Sequence, residues 1–336
     1  MKPLFHPRLV NAPFGDPALY VDFLFERRAL LFDIGDLAPL SARSLLRVTH
    51  AFVSHAHLDH FVGFDRLLRL ALGRAVRIHL FGPPGFLARV EHKLGAYTWN
   101  LVGGYSADCT FRVTEVGATG TLTADFRSGA AFAPGEVTAA PIEEGVLLDE
   151  AAFTVRTVLL DHRIPCLGFR LEERLHVNVW KNRLEAMGLP TGPWLRAVKL
   201  AVLRGDPDDV LFRVPRPEGG GERRVALGEL RERILEIVPG QTLAYVADAA
   251  FHPENAARIV ELARGVDLLF IEAAFLEEDA ARAREKAHLT ARQAGELARL
   301  AGAAALVPFH FSPKYSGDGE RLEREAREAF TAGGHG

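Results

Sequence analysis

Cysteine, methionine and lysine are scarce in this chain of 336 residues, with two, two and six copies. Two cysteines, Cys109 and Cys166, are too few for a disulfide framework. Without one, a reducing setting is expected, and the cytoplasm is the default. The opening residues, "MKPLFHPRLVNAP", lack the apolar core of a secretory signal. Uninterrupted apolar stretches of 18 or more residues are also missing, so neither a membrane span nor a membrane partner is expected. Charge of one sign is not in excess, at 40 basic against 43 acidic residues. Binding to a polyanion would therefore need a local basic patch. The 34 arginines reflect coding bias more than function. No Walker loop or dinucleotide fingerprint occurs, and Gly82 and Gly85 read as a turn.

What is present is apolar material, 48% of the chain, enough to bury a sizeable core without staples. "ALYVDFLFE", "RRALLFDIGD" and "RVTHAFVSH" read as strands, the first two joined by a charged hairpin turn at Glu26–Arg28. "FVGFDRLLRLALGR" has helical spacing and ends at Gly73. "AVRIHLFGPPG" reads as strand then turn, and "GFLARVEHKLGAYTWNLV" as helix. Cys109 to Val158 alternates as antiparallel sheet does. Residues 174–235 are richer in charge, proline and glycine, with a flexible turn at "RPEGGGERR". Between Arg174 and Arg204 stand six basic residues and one acid, Glu185. The last hundred residues alternate strand and helix, which implies helices packed on a sheet.

The densest chemistry lies in "FVSHAHLDHFVG", Phe52 to Gly63, at the end of an apolar run. On an extended segment His55, His57 and Asp59 share one face, and His60 follows as the chain turns into a helix. Two histidines two apart can ligate one metal ion, and the aspartate and histidine after them a second. Three more candidates also end apolar runs: His162 after "FTVRTVLLD", Asp248 after "TLAYVA" and His310 after "AALVPF". Together they make seven ligands, enough for a two-metal hydrolase with one bridging carboxylate.

"SHAHLDH" resembles the H-x-H-x-D-H signature of the metallo-β-lactamase superfamily, and "LLFDIGD" the strand before it. "LFGPPG", "EAAF" at Glu272, "RLEAMGLPTGPWLRAVK" and "HLTARQAGELARLAGAAALVPFHFSPKY" resemble the ribonuclease Z branch, over roughly residues 29 to 315. The resemblance implies an αββα sandwich, two mixed β-sheets flanked by helices. It implies one hydrolase domain over 1–336, with an inserted arm at 172–235 as an RNA-binding exosite. His55, His57 and His162 would hold one Zn2+, Asp59, His60 and His310 a second, and Asp248 would bridge them, with Mn2+ or Fe2+ as other candidate ions. Asp59 would orient or deprotonate the attacking water, and His288, oriented by Glu272, would protonate the leaving oxygen. Ser312, Lys314, Trp194 and Lys199 would touch substrate, with Trp180 beside them in the arm. The implied activity is a phosphodiesterase, an endoribonuclease acting on precursor tRNA as a homodimer. Alternatives are a hydrolase of small phosphodiesters, cyclic nucleotides or other esters, and a non-catalytic RNA- or partner-binding protein.

The chain departs from that pattern at specific places. "NAPFGDPALYV" replaces a Gly-Thr-Gly turn and a basic Pro-Thr-Lys-x-Arg-Asn loop. Ala247-Asp248-Ala249 replaces Gly-Asp-Thr, removing a hydroxyl beside the aspartate. Lys314 stands where the branch has an arginine and cannot hold a phosphate with two parallel bonds. His252, four residues after Asp248, is a candidate to line the site, whereas His6, His50, His79, His92, His176 and His335 lack a partner pattern.

Overall fold

The computed structural model describes residues 4–24, 26–216 and 221–332. His335 and residues 217–220 of the glycine turn lie outside the described residues. The chain groups into two compact units. The larger comprises Phe5–Leu147, Arg156–Arg170 and Leu243 onward, and the smaller is built chiefly of Leu148–Val155 and Leu171–Thr242.

Two sheets dominate. The first has eight strands in sequence order: β1 (Phe5–Leu9), β2 (Leu19–Phe23), β3 (Ala29–Phe32), β4 (Val48–Phe52), β5 (Arg77–Gly82), β6 (Thr110–Val116), β7 (Gly120–Arg127) and β8 (Thr138–Pro141). β2 and β3 form the expected hairpin, while β3 to β6 pair in parallel. The second sheet contains β9 (Val146–Asp149), β10 (Phe153–Asp161), β11 (Pro165–Glu173), β16 (Thr242–Val246), β17 (Leu268–Glu272) and β18 (Leu306–Phe309). Its order is β18-β17-β16-β11-β10-β9. Alternation along the strands sends one set of side chains between the sheets. Phe32, Phe52 and Phe81 stack at 5.1 and 4.9 Å, and Phe169 and Tyr245 of the second sheet lean on them.

Helices cover the other two faces, so the αββα expectation holds. In helix Phe64–Ala71 the buried residues are Phe64, Leu67, Leu68 and Ala71, a 3.6-residue stripe set against Leu31 and Val53. Helix Ala291–Ala301 begins with a capping box, Thr290 with Gln293, and ends at Gly302 in the left-handed region. Helix 85–102 is shorter than its spacing suggests and stops at Gly95. No helix among the described residues is long and apolar enough to cross a membrane.

The smaller unit holds β12 (Leu175–Val179) paired with β15 (Leu235–Pro239), and β13 (Leu211–Pro215) paired with β14 (Glu222–Ala226). Helices Lys181–Ala186, Trp194–Arg204 and Leu227–Ile234 close a separate apolar cluster around Val198, Val214 and Leu230. It has its own core, where the sequence suggests only a basic protrusion.

Candidate metal centre

The centre forms at the C-terminal ends of β4, β10, β16, β17 and β18, where apolar runs stop and polar groups emerge between the sheets. β4 leads through Val53 to His55, and Val53 and Ser54 are still hydrogen-bonded, to Phe81 and Asp33. The segment is extended only as far as His57, which caps helix Leu58–Phe61. Asp59 therefore reaches the centre from the first helical turn and not by strand alternation, a correction to the expected geometry. Two glycines make room for that turn. A Cβ on Gly35 would stand 2.3 Å from the Asp59 carbonyl oxygen, and one on Gly63 would stand 2.3 Å from that of Gly35.

All seven predicted ligands come together. His55, His57, His162 and Asp248 form one group, and Asp59, His60 and His310 another, each with atoms within 4.8 Å of one another. Asp248 lies between them. Its Oδ2 faces His55 Nε2 at 3.6 Å and His162 Nε2 at 3.4 Å. Its Oδ1 faces His60 Nε2 at 3.5 Å and His310 Nδ1 at 3.0 Å. Asp59 Oδ2 sits 3.2 Å from His310 Nε2 and 3.5 Å from His60 Nε2.

The outer nitrogens fix which lone pairs point inward. Ser54 donates its N–H and hydroxyl to Asp33, so its oxygen is left to accept from His55 Nδ1 at 3.0 Å. His60 Nδ1 donates to Asp33 Oδ2 at 2.8 Å, and His162 Nδ1 donates to the Ala287 carbonyl at 2.8 Å. With Nδ1 protonated, the Nε2 of each neutral ring carries a lone pair. Three such lone pairs converge on one carboxylate, and buried His55 Nε2, His60 Nε2 and Asp248 Oδ1 have no hydrogen-bond partner. Buried acceptors facing acceptors are costly, and a divalent cation between them removes that cost. The donor set of imidazole nitrogen and carboxylate oxygen suits a zinc-like ion.

Protonation reflects the same crowding. Burial opposes charge on Asp248, but His310 and His60 outweigh it and hold the carboxyl well below its usual range. Burial lowers His60, yet Asp248 and Asp33 lift it to about 10, so the positive charge beside this carboxylate is either an ion held by the Nε2 lone pair or, without one, a proton on that same nitrogen. Burial, then repulsion from His60, drops His55 to about 2.

Two further predicted residues adjoin this set. His288 Nδ1 donates to Glu272 Oε2 at 2.8 Å and lies 3.9 Å from Asp248 Oδ2. Burial lowers the His288 pKa, but Glu272 overcomes it and raises it. Glu272, fully buried, also accepts the backbone N–H groups of Ala249 and Leu289 through Oε1. It thus braces the chain beside Asp248, where the hydroxyl of a Gly-Asp-Thr sequence is missing.

Of the predicted substrate-contacting residues, two follow His310 closely in sequence and two belong to the smaller unit. Ser312 accepts from the N–H of Lys314, and the Lys314 ammonium is paired with Asp279, which Tyr315 also holds. Trp194 and Lys199 belong to the smaller unit, as does Trp180 under the Arg183 guanidinium. Trp194 donates to the Pro190 carbonyl. His252 caps helix Pro253–Leu262 and lies 3.4 Å from Asp161.

Sequence reasoning missed Asp33 and Tyr245. Asp33, fully buried with φ 56°, accepts from Ser54, His60 and the Tyr245 hydroxyl at 2.9 Å. A charged residue ending an apolar run was the available signal. Nothing local pointed to Tyr245, 212 residues away. Asn255 was also missed. Fully buried, it bonds the backbone N–H and carbonyl of Asp161 and the carbonyl of Ala250, tying together the loops that carry His162 and Asp248.

Sandwich and cluster together define a metal-dependent hydrolase of the metallo-β-lactamase fold. The beta-lactamase superfamily domain model matches residues 233–311. Ribonuclease Z of Deinococcus radiodurans is 34% identical over 330 residues, covering 96% of this chain and 95% of that protein. Ribonuclease BN of Escherichia coli is 29% identical over 285 residues, covering 84% and 76%. The crystal structure of human tRNase Z, short form, superposes with TM-score 0.50 and 19% identity over 93% of each chain, a likeness of fold. The chain belongs to the ribonuclease Z family.

Proposed function

We propose that the protein is an endoribonuclease that cleaves precursor tRNA near its 3′ end, with two divalent ions, zinc by preference, in its centre. The observation that carries the two-ion reading is Asp248, whose two oxygens face two separate ligand groups. The substrate reading rests on the relatives named ribonuclease Z. His55, His57 and His162 would hold one ion, Asp59, His60 and His310 the other, with Asp248 shared. Bound there, the ions would acidify a water and offset charge on the phosphate oxygens.

The chain's own groups supply the rest. Asp59, its carboxyl held at about 2 despite burial by the His310 hydrogen bond and His60, is an ionised acceptor for a proton of the attacking water. His288, its pKa raised by Glu272, donates to the departing ribose oxygen. Glu272 holds that ring in place and does not itself transfer the proton. In the family reading two copies associate and the basic arm of one grips RNA held by the other. Sedimentation with and without RNA tests this.

A second reading, hydrolysis of a small phosphodiester or cyclic nucleotide, is favoured by Lys314 being committed to Asp279 and by the acidic Asp16 in the loop that replaces the basic one. Metal-loaded protein incubated with precursor tRNA bearing a 3′ trailer, beside bis(p-nitrophenyl) phosphate, decides between them. Release of the trailer is expected. Turnover of the diester with intact precursor would sink the nuclease reading.

A further inference from the structure

The family's usual phosphate-holding groups are missing or occupied here: the N-terminal loop has no base, and Lys314 is tied to Asp279. A different basic surface touches the centre. A cavity of about 480 Å³ opens beside exposed His57 and is lined by Leu58, Val62, Arg89, His92 and Lys93. The bases come from one helix, Phe86–Gly95, at spacings of three and four residues, so they share a face. That helix is fixed from beneath by Phe86, Val90 and Leu94 in the core, so the face is presented rigidly. Lys93 is paired with Asp65 at 3.0 Å. Arg89 and His92 are exposed, and among the described residues no carboxylate pairs with either. No acidic residue lines the cavity. Leu58, 77% exposed, and Val62, 37% exposed, are apolar groups on the same lining as the basic side chains and His57.

We infer that this groove is a subsite for single-stranded RNA flanking the scissile bond, resting on the nuclease reading above. Arg89 and His92 hold a backbone phosphate, and Leu58 and Val62 support the neighbouring base. A phosphodiester chain suits it because basic and apolar side chains share one lining with His57, one of the candidate ligands. Phosphate contacts supply affinity without sequence preference, so the groove accepts any base.

The test is steady-state cleavage of one precursor tRNA by the full chain and by Arg89→Glu and Arg89→Ala/His92→Ala variants across a salt series. Both sites are exposed, so folding is not at risk. The expected result is a KM raised about tenfold or more in R89E with kcat within about twofold. In addition, the salt slope should fall by about 0.7 for each phosphate that the variant no longer neutralises, the value for single strands. Cleavage by R89E with unchanged KM and salt slope overturns the subsite and leaves the nuclease reading standing. Wild-type protein that hydrolyses bis(p-nitrophenyl) phosphate but neither binds nor cleaves RNA overturns both.

Discussion

The two sheets contribute to the centre in opposite ways. The first supplies His55, His57, Asp59 and His60 from a single turn after β4. The second supplies one group per strand end, His162 after β10, Asp248 after β16, Glu272 in β17 and His310 after β18. One half is set by local chain geometry, and the other exists only when distant strands align. The difference places the structural risk on the second sheet, because each of its groups depends on sheet register and on loops held by Asn255 and Glu272. Long-range pairings of this kind form late and at higher entropic cost than local ones.

The comparison breaks most sharply at Asp248, where both groups meet. Asp248→Ala should reduce kcat/KM by about 10³-fold or more, the scale of losing a central electrostatic group, with loss of bound metal by elemental analysis. Retained metal and activity would show that the halves work independently. Next is His288→Ala, expected to cost about 10²-fold or more in kcat, with a smaller loss on a substrate whose leaving group needs no proton. Glu272→Gln sharpens this point. Glu272 raises the His288 pKa, so the proton is retained to higher pH than on a free imidazole and lost as pH climbs through the raised value. Without that carboxylate the alkaline limb of the kcat profile should move to lower pH, and an unmoved limb would remove His288 as the donor. On the first sheet, Asp33→Asn should weaken metal affinity by about 10- to 100-fold, the range for a group that orients a ligand, measured by competition with a chelating dye. The smallest effect is expected at the helix cap two residues beyond His288. Thr290→Ala removes a helix cap and should cost about 1 kcal/mol of stability, read from urea unfolding.

How much was legible follows the same division. The His55–His60 run announced metal because its residues sit together after an apolar run. His162, Asp248 and His310 could be nominated only because each also ends such a run. The β/α alternation after residue 240 was readable from period and caps, but helix Gly319–Thr331, with only Leu322 and Ala326 buried, left too thin an apolar stripe to be noticed. In the smaller unit the helices are short, and Leu184, Val198 and Leu230 join one core only across long separations. Composition reported their charge and not their packing. Asp59 was assigned to the right cluster by the wrong geometry, since a strand and a first helical turn can both deliver a side chain two positions after His57.

Gly35 and Gly63 carry a consequence for anyone wishing to move this centre to another scaffold. Neither has a side chain to donate, and a transplant copying only the seven candidate ligands would omit both. Yet a single methyl group at either would collide with backbone at 2.3 Å and push the Asp59–His60 turn off its seat. The portable unit is therefore larger than its ligand list, and two of its indispensable parts are empty space.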